Sequence, residues 1–233
     1  MLETKQIVGV DGCKGGWVAV YAPLNNFENA TAVVVREILD LRKVVTHDAQ
    51  IIIDIPIGLE WKKSSRLCDK LGRKYLGNRR STLFSPPCLQ ALTESSYEQA
   101  TRRNKEITGV SFSKQSWFLK DKILEVRNAI SNGMSLSEGH PECSFTAYNG
   151  RVFEERKKSL RGMFERLSCL MEIGFNPTKL VRSMSDAKGV KVDDLLDASI
   201  LCWTAGRVAQ NEYFSFPSKR SNSYAKLDCK IFV

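Results

Sequence analysis

The run "IVGVDGCKGGWVAVY", residues 7–21, constrains the fold more than any other part of the chain. An apolar segment meets a Gly-rich turn, and a second apolar segment starts at Trp17. The spacing predicts a β-hairpin whose first strand belongs to a core. That strand nevertheless ends on Asp11. A buried carboxylate without a partner is costly, so an arginine, backbone amides or a metal ion must compensate it. The plainer alternative is an aspartate that caps the turn.

Downstream, "ATAVVVREIL" is expected as a third strand, completing an antiparallel meander, and "LDLRKVVTHDA" as a short helix with Leu41, Val44 and Val45 inward. "QIIIDIPIGL" reads as a fourth strand, apolar on both faces as parallel strands are, and it too is interrupted by a carboxylate, Asp54. Residues 60–136 are mostly helical and polar, broken at Pro86 and Pro87. "SLSEGHPECSFTAYNG" is expected as a fifth strand. "KKSLRGMFERLSCLMEIG" is an amphipathic helix stopped by Gly174, and "KVDDLLDASILCWTAGRVAQ" is a last long helix. The tail from Tyr213 is short and irregular and can end in a strand. This order fits an α/β fold, a mixed sheet with helices on both faces. With 233 residues, 42% of them apolar, the chain can bury the core of one large domain.

The last helix sharpens the question raised by Asp11. Asp193 is explained as an N-cap and Asp194 by the helix dipole. Asp197 lies a turn further in, and no charged residue follows it from Ala198 to Gly206. Ile200, Leu201, Thr204 and Val208 share its side, so Asp197 must face protein, beside Asp194. Glu142, in "GHPECSF", is a further candidate, with a loop-rim carboxylate as the alternative. Carboxylates from several elements make an oxygen-rich site, which hard cations such as Mg²⁺ or Mn²⁺ prefer. Such ions activate water for phosphodiester hydrolysis.

Other chemistries fit less well. Seven cysteines without a C-x-x-C pair argue against a disulfide framework or a zinc site, and two histidines argue against a His-rich one. Cys143 near His140 could be a thiol nucleophile, but nothing supplies an oxyanion site. "DGCKGG" is similar to the phosphate loop of actin-like ATPases, but their duplicated halves are missing. No segment reaches the length of a membrane span or a secretory signal, so a cytoplasmic protein is expected.

The formal charge of +9 suggests an anionic partner, nucleic acid or nucleotide. "WKKSSRLCDKLGRKYLGNRR" concentrates Lys62, Lys63, Arg66, Lys70, Arg73, Lys74, Arg79 and Arg80 shortly after Asp54. Phosphate contacts are expected from Arg66, Arg73, Lys74, Arg79 and Arg80, unless the run is a solvated face. Trp61 and Tyr75 could stack on bases or belong to the core.

Taken together, "GVDGCKGGWV", "IDIPIGL", "RLCDKLGR", "HPECSF" and "DDLLDA" resemble the domain-of-unknown-function family 429, from about Val8 to Arg207. Members are described as predicted nucleases with an RNase H-like fold. The resemblance implies a single RNase H-like domain over 1–233, a five-stranded mixed sheet, and a helical insertion at 60–136 between the fourth and fifth strands. It places the first-strand carboxylate on Asp11, the fourth-strand one on Asp54, and a D-x-x-D pair on Asp194 and Asp197. Glu142 matches the family's H-P-E motif. The expected catalytic set is therefore Asp11, Asp54, Glu142, Asp194 and Asp197, with Asp11, Asp54, Asp194 and Asp197 holding Mg²⁺ or Mn²⁺. The competing expectations are a non-catalytic nucleic-acid or nucleotide binding protein, or an adaptor for a protein partner.

Overall fold

A computed structural model describes residues 5–62, 66–184, 189–218 and 229–233. β1 (Gln6–Cys13) and β2 (Gly16–Pro23) form the expected hairpin, and β3 (Thr31–Val35) continues the antiparallel meander. A 3-10 helix at Ile38–Lys43 leads to β4 (Gln50–Ile53), which pairs with β1 in parallel. The polar stretch that follows contains α1 (Leu67–Leu76), α2 (Tyr97–Thr108), α3 (Lys114–Trp117) and α4 (Lys120–Ser131). β5 (Ser137–Glu138) then joins β4 in parallel, completing a mixed sheet of order β3-β2-β1-β4-β5. α5 (Pro141–Asn149), α6 (Leu160–Ile173), α7 (Pro177–Arg182) and α8 (Val192–Ala209) complete the helices. The tail does end in a strand, since β6 (Ser215–Phe216) pairs with β7 (Ile231–Phe232).

One expectation fails here. "PECSFTAYN" is not a strand but α5, and only Ser137–Glu138 joins the sheet as a strand. Pro141 takes the first helical position after an extended His140, where its missing N–H costs nothing and its fixed φ is already helical. Helix α5 is buried along Pro141–Thr146, so it shows no polar stripe and no helical period in the sequence.

The sheet separates two cores by strand parity. Ile7, Val18, Val20 and Ile52 face α8, with α5 and α6 packed around it. Val8, Val10, Ala19, Ile51 and Ile53 face α4 and the 3-10 helix. Gly9 brings α8 directly against β1, because a Cβ there would lie 2.1 Å from the Ala198 carbonyl oxygen. Gly139 does the same beside β4, where a Cβ would lie 2.4 Å from Ile52 Cγ2. Among the described residues no helix is long and apolar enough to cross a membrane.

Candidate functional site

Side chains alternate along a strand, so the parity that turns Ile7 and Gly9 toward α8 also turns Asp11 there. Ile52 and Asp54 follow the same rule on β4. The Asp54 amide donates to Val10 O at 2.9 Å, which extends the parallel register and sets Asp54 opposite Asp11. Both carboxylates thus stand at the carboxyl ends of adjacent parallel strands, where ligands of open α/β sheets bind. Asp197 on α8 is 2% exposed and inward, as its uncharged surroundings demand.

These three carboxylates line one cavity of about 370 Å³, together with Glu138, Glu142, His140, Arg66, Arg79, Lys122 and Lys157. Burial raises all three, each reinforced by its neighbours. Asp11 is well above the usual carboxylate range, from burial and then from Asp54 and Asp197. Asp54 is pushed up to about 6, chiefly by burial. Asp197 is pushed up to about 7 by burial, although the Lys157 ammonium opposes the rise. Asp11 also accepts a hydrogen bond from the Gly12 amide at 2.7 Å.

Lys157 supplies the charge compensation that the opening strand requires. It lies between α5 and α6, its ammonium donates to Asp197, and its charge acts on Asp11 and Asp54 as well. Burial works against that charge, but the three carboxylates outweigh it and hold the ammonium above the usual lysine range. Sequence reasoning missed this residue, which sits unmarked in the basic run "ERKKS".

Other expected residues take different places. Asp194 is half-buried and accepts from the Lys191 amide at 3.0 Å. It caps α8 and does not line the cavity, and the N-cap is Lys191 rather than Asp193. Glu142 lies in the first turn of α5 with both oxygens on Arg166 Nη2, at 2.7 and 2.8 Å. Arg166 is itself buried against Phe145 and Phe153.

Arg66 departs from the phosphate-contact expectation. It is 4% exposed, and its guanidinium donates to Asp69, to Glu138 and to the Ile57 carbonyl. Glu138, also missed in the sequence, ends β5 as the counterpart of that arginine. Arg79 reaches the cavity wall, 3.8 Å from Glu142 Oε1. Lys70, Arg73, Lys74 and Arg80 instead line a shallow depression on the outer face of α1. Arg73 also donates to Leu83 O and Ser85 Oγ. Lys62 is exposed, and Lys63 falls outside the described residues. Tyr75 packs against Phe214 and Phe216, whereas Trp61 is half exposed. The Cys143 thiol is fully buried, and burial pushes it far above the usual thiol range.

The carboxylate oxygens of Asp11, Asp54 and Asp197, drawn from separate elements, are of the donor type that a hard divalent cation takes. Among the described residues, however, no three His, Cys, Asp or Glu side chains converge as a ready-made ligand set. Asp197 is instead paired with the Lys157 ammonium, whose charge also acts on Asp11 and Asp54.

Searches of curated proteins and of solved structures each found no match. A family model described as "Protein of unknown function (DUF429)" matches residues 9–222, a span that holds every carboxylate of the cavity. The chain is a member of the DUF429 family.

Proposed function

We propose that this protein is a divalent-metal-dependent nuclease on an RNase H-like fold. The observation that carries the reading is the group of Asp11, Asp54 and Asp197 lining one cavity, Asp11 and Asp197 buried and Asp54 part-buried, all with raised proton affinities and with Lys157 paired to Asp197. The strand order β3-β2-β1-β4-β5, with carboxylates at the ends of the two central parallel strands, supports the fold assignment.

Asp11, Asp54 and Asp197 would hold Mg²⁺ or Mn²⁺. When bound, the ion supplies an activated water and polarises a phosphoryl oxygen. The chain's own residues do the rest. Arg79 and Lys122 on the cavity wall offer positive charge to orient a phosphodiester. Lys157, paired with Asp197, would offset part of the negative charge of the three carboxylates. The depression of Lys70, Arg73, Lys74 and Arg80 can follow the strand beyond the cavity.

The Lys157–Asp197 pair also favours a second reading, a nucleic-acid or nucleotide binding protein whose acidic cluster is neutralised from within. Incubation of wild type and Asp54→Asn with labelled single-stranded, duplex and branched DNA and RNA, in Mg²⁺, Mn²⁺ or EDTA, separates the two. The nuclease reading predicts metal-dependent cleavage by wild type and a loss of at least about 100-fold in the variant. Binding without cleavage in every metal would establish the second reading.

A further inference from the structure

Cys68 on α1 and Cys229, two residues before β7, bring their Sγ atoms to 2.8 Å across 161 residues of chain. Both are buried, at 0% and 8% exposure, in an apolar cluster with Leu76, Leu83, Ile231 and Val233. The separation is far shorter than that of two sulfurs in ordinary contact and approaches the ~2.05 Å of a disulfide. All seven cysteines are free thiols here. The two sulfurs are not equivalent. Cys229 is the more exposed, at 8% against 0%, and the two thiols share one hydrogen bond. The Arg66 guanidinium favours a thiolate at either position, and its partners Glu138 and Asp69 oppose one.

We propose that Cys68 and Cys229 are a redox pair that closes to a disulfide and ties α1 to the C-terminal strand pair. With a peroxide as oxidant, the Cys229 thiolate attacks one peroxide oxygen, gives the sulfenic acid and releases one water after protonation. The Cys68 sulfur then attacks the sulfenic sulfur, forms the S–S bond and releases a second water. In sum, two thiols and one hydrogen peroxide give one disulfide and two waters. A dithiol reductant reverses it by exchange. The bond joins two parts of the cavity wall, because Arg66 precedes Cys68 and Ile231 follows Cys229. It stands whether or not the cavity is a nuclease site.

The test is to treat the full chain with equimolar hydrogen peroxide or with dithiothreitol, denature it, alkylate free thiols, and map peptides without reduction. The peroxide sample should carry two fewer alkylated cysteines and a Cys68–Cys229 cross-linked peptide. Its Tm should rise on the order of 10 °C over the reduced sample, because the bond closes a long loop. Cys68→Ala and Cys229→Ala should each abolish the cross-link, and Cys143→Ala, from the same cluster, should keep it. Seven alkylated cysteines after peroxide, or a cross-link through Cys143, would overturn the proposal. Should the alanine variants fail to fold, the wild-type peptide map decides alone.

Discussion

Lys157 is the residue on which the electrostatics of the cavity turn. Its side chain is 35% exposed while Asp197 beside it is 3% exposed, so one partner keeps contact with water and the other does not. Removing a partner from a buried pair leaves an uncompensated charge. With the lysine part-exposed, Lys157→Met should cost about 1–3 kcal/mol in EDTA near pH 8, below the full value for a buried pair. Thermal melts at two pH values check this. The loss should shrink near pH 5, where the crowded carboxylates take up protons. A variant as stable as wild type at both would show that Asp197 does not need the ammonium. Residue-level legibility divided along the same line. Asp197 could be read as inward because its own helix carries no charge from Ala198 to Gly206. Lys157, Glu138 and Arg166 could not, because each has a meaning only beside a carboxylate or guanidinium distant in sequence. Arg66 looked like its basic neighbours for the same reason.

At the scale of elements, the close approach of α8 to β1 is what turns two separate aspartates into one wall. Gly9 makes that approach, with no space for a Cβ against the Ala198 carbonyl and the Cys202 amide. Gly9→Ala should force the helix outward and destabilise the protein by at least about 2 kcal/mol, as overpacking does. Urea denaturation measures it, and an unchanged midpoint would refute the contact. The elements legible in the sequence were those with a clean period. β1 and β2 are apolar runs on either side of a Gly-rich turn, β4 is uniformly apolar between polar ends, and α6 carries a stripe ending at Gly174. Helix α5 was not legible as a helix, because burial on nearly all sides erased its stripe. Its Pro141 marked a helix start, yet beside the apolar residues it read as an interruption of a strand.

For the whole molecule, the raised carboxylates set the pH dependence. Asp54, at about 6, and Asp197, at about 7, bind protons in the folded state that the unfolded chain releases. Asp11 is shifted in the same direction. Between the unfolded value near 4 and these folded values, folding takes up protons, so this contribution to stability is lost as pH rises through about 6–7. His140, whose affinity for a proton is lowered by burial, opposes the trend on the acid side, but it faces these three together with Glu138, pushed up to about 7 by burial, and Asp194, shifted the same way. In EDTA the wild type should therefore melt at a higher temperature near pH 5 than near pH 8. Asp54→Asn should flatten the profile, and a profile equally steep in the variant would assign it to other groups.

The central claim is that the crowded carboxylates form a divalent-cation site, and a thermal melt of wild type and Asp197→Asn with and without Mn²⁺ tests it most directly. Wild type should gain about 2.7 kcal/mol at 100 times the dissociation constant, a shift of several degrees. Asp197→Asn removes one of the mutually repelling carboxylates while keeping the shape, and the charges of Asp11 and Asp54 remain to offset Lys157. It should melt in EDTA at the same or a higher temperature than wild type and lose most of the Mn²⁺ shift. The contrary result is a wild type indifferent to Mn²⁺, with the Asn variant less stable whether or not the metal is present. Asp197 would then be the structural partner of Lys157, and the site would hold no metal.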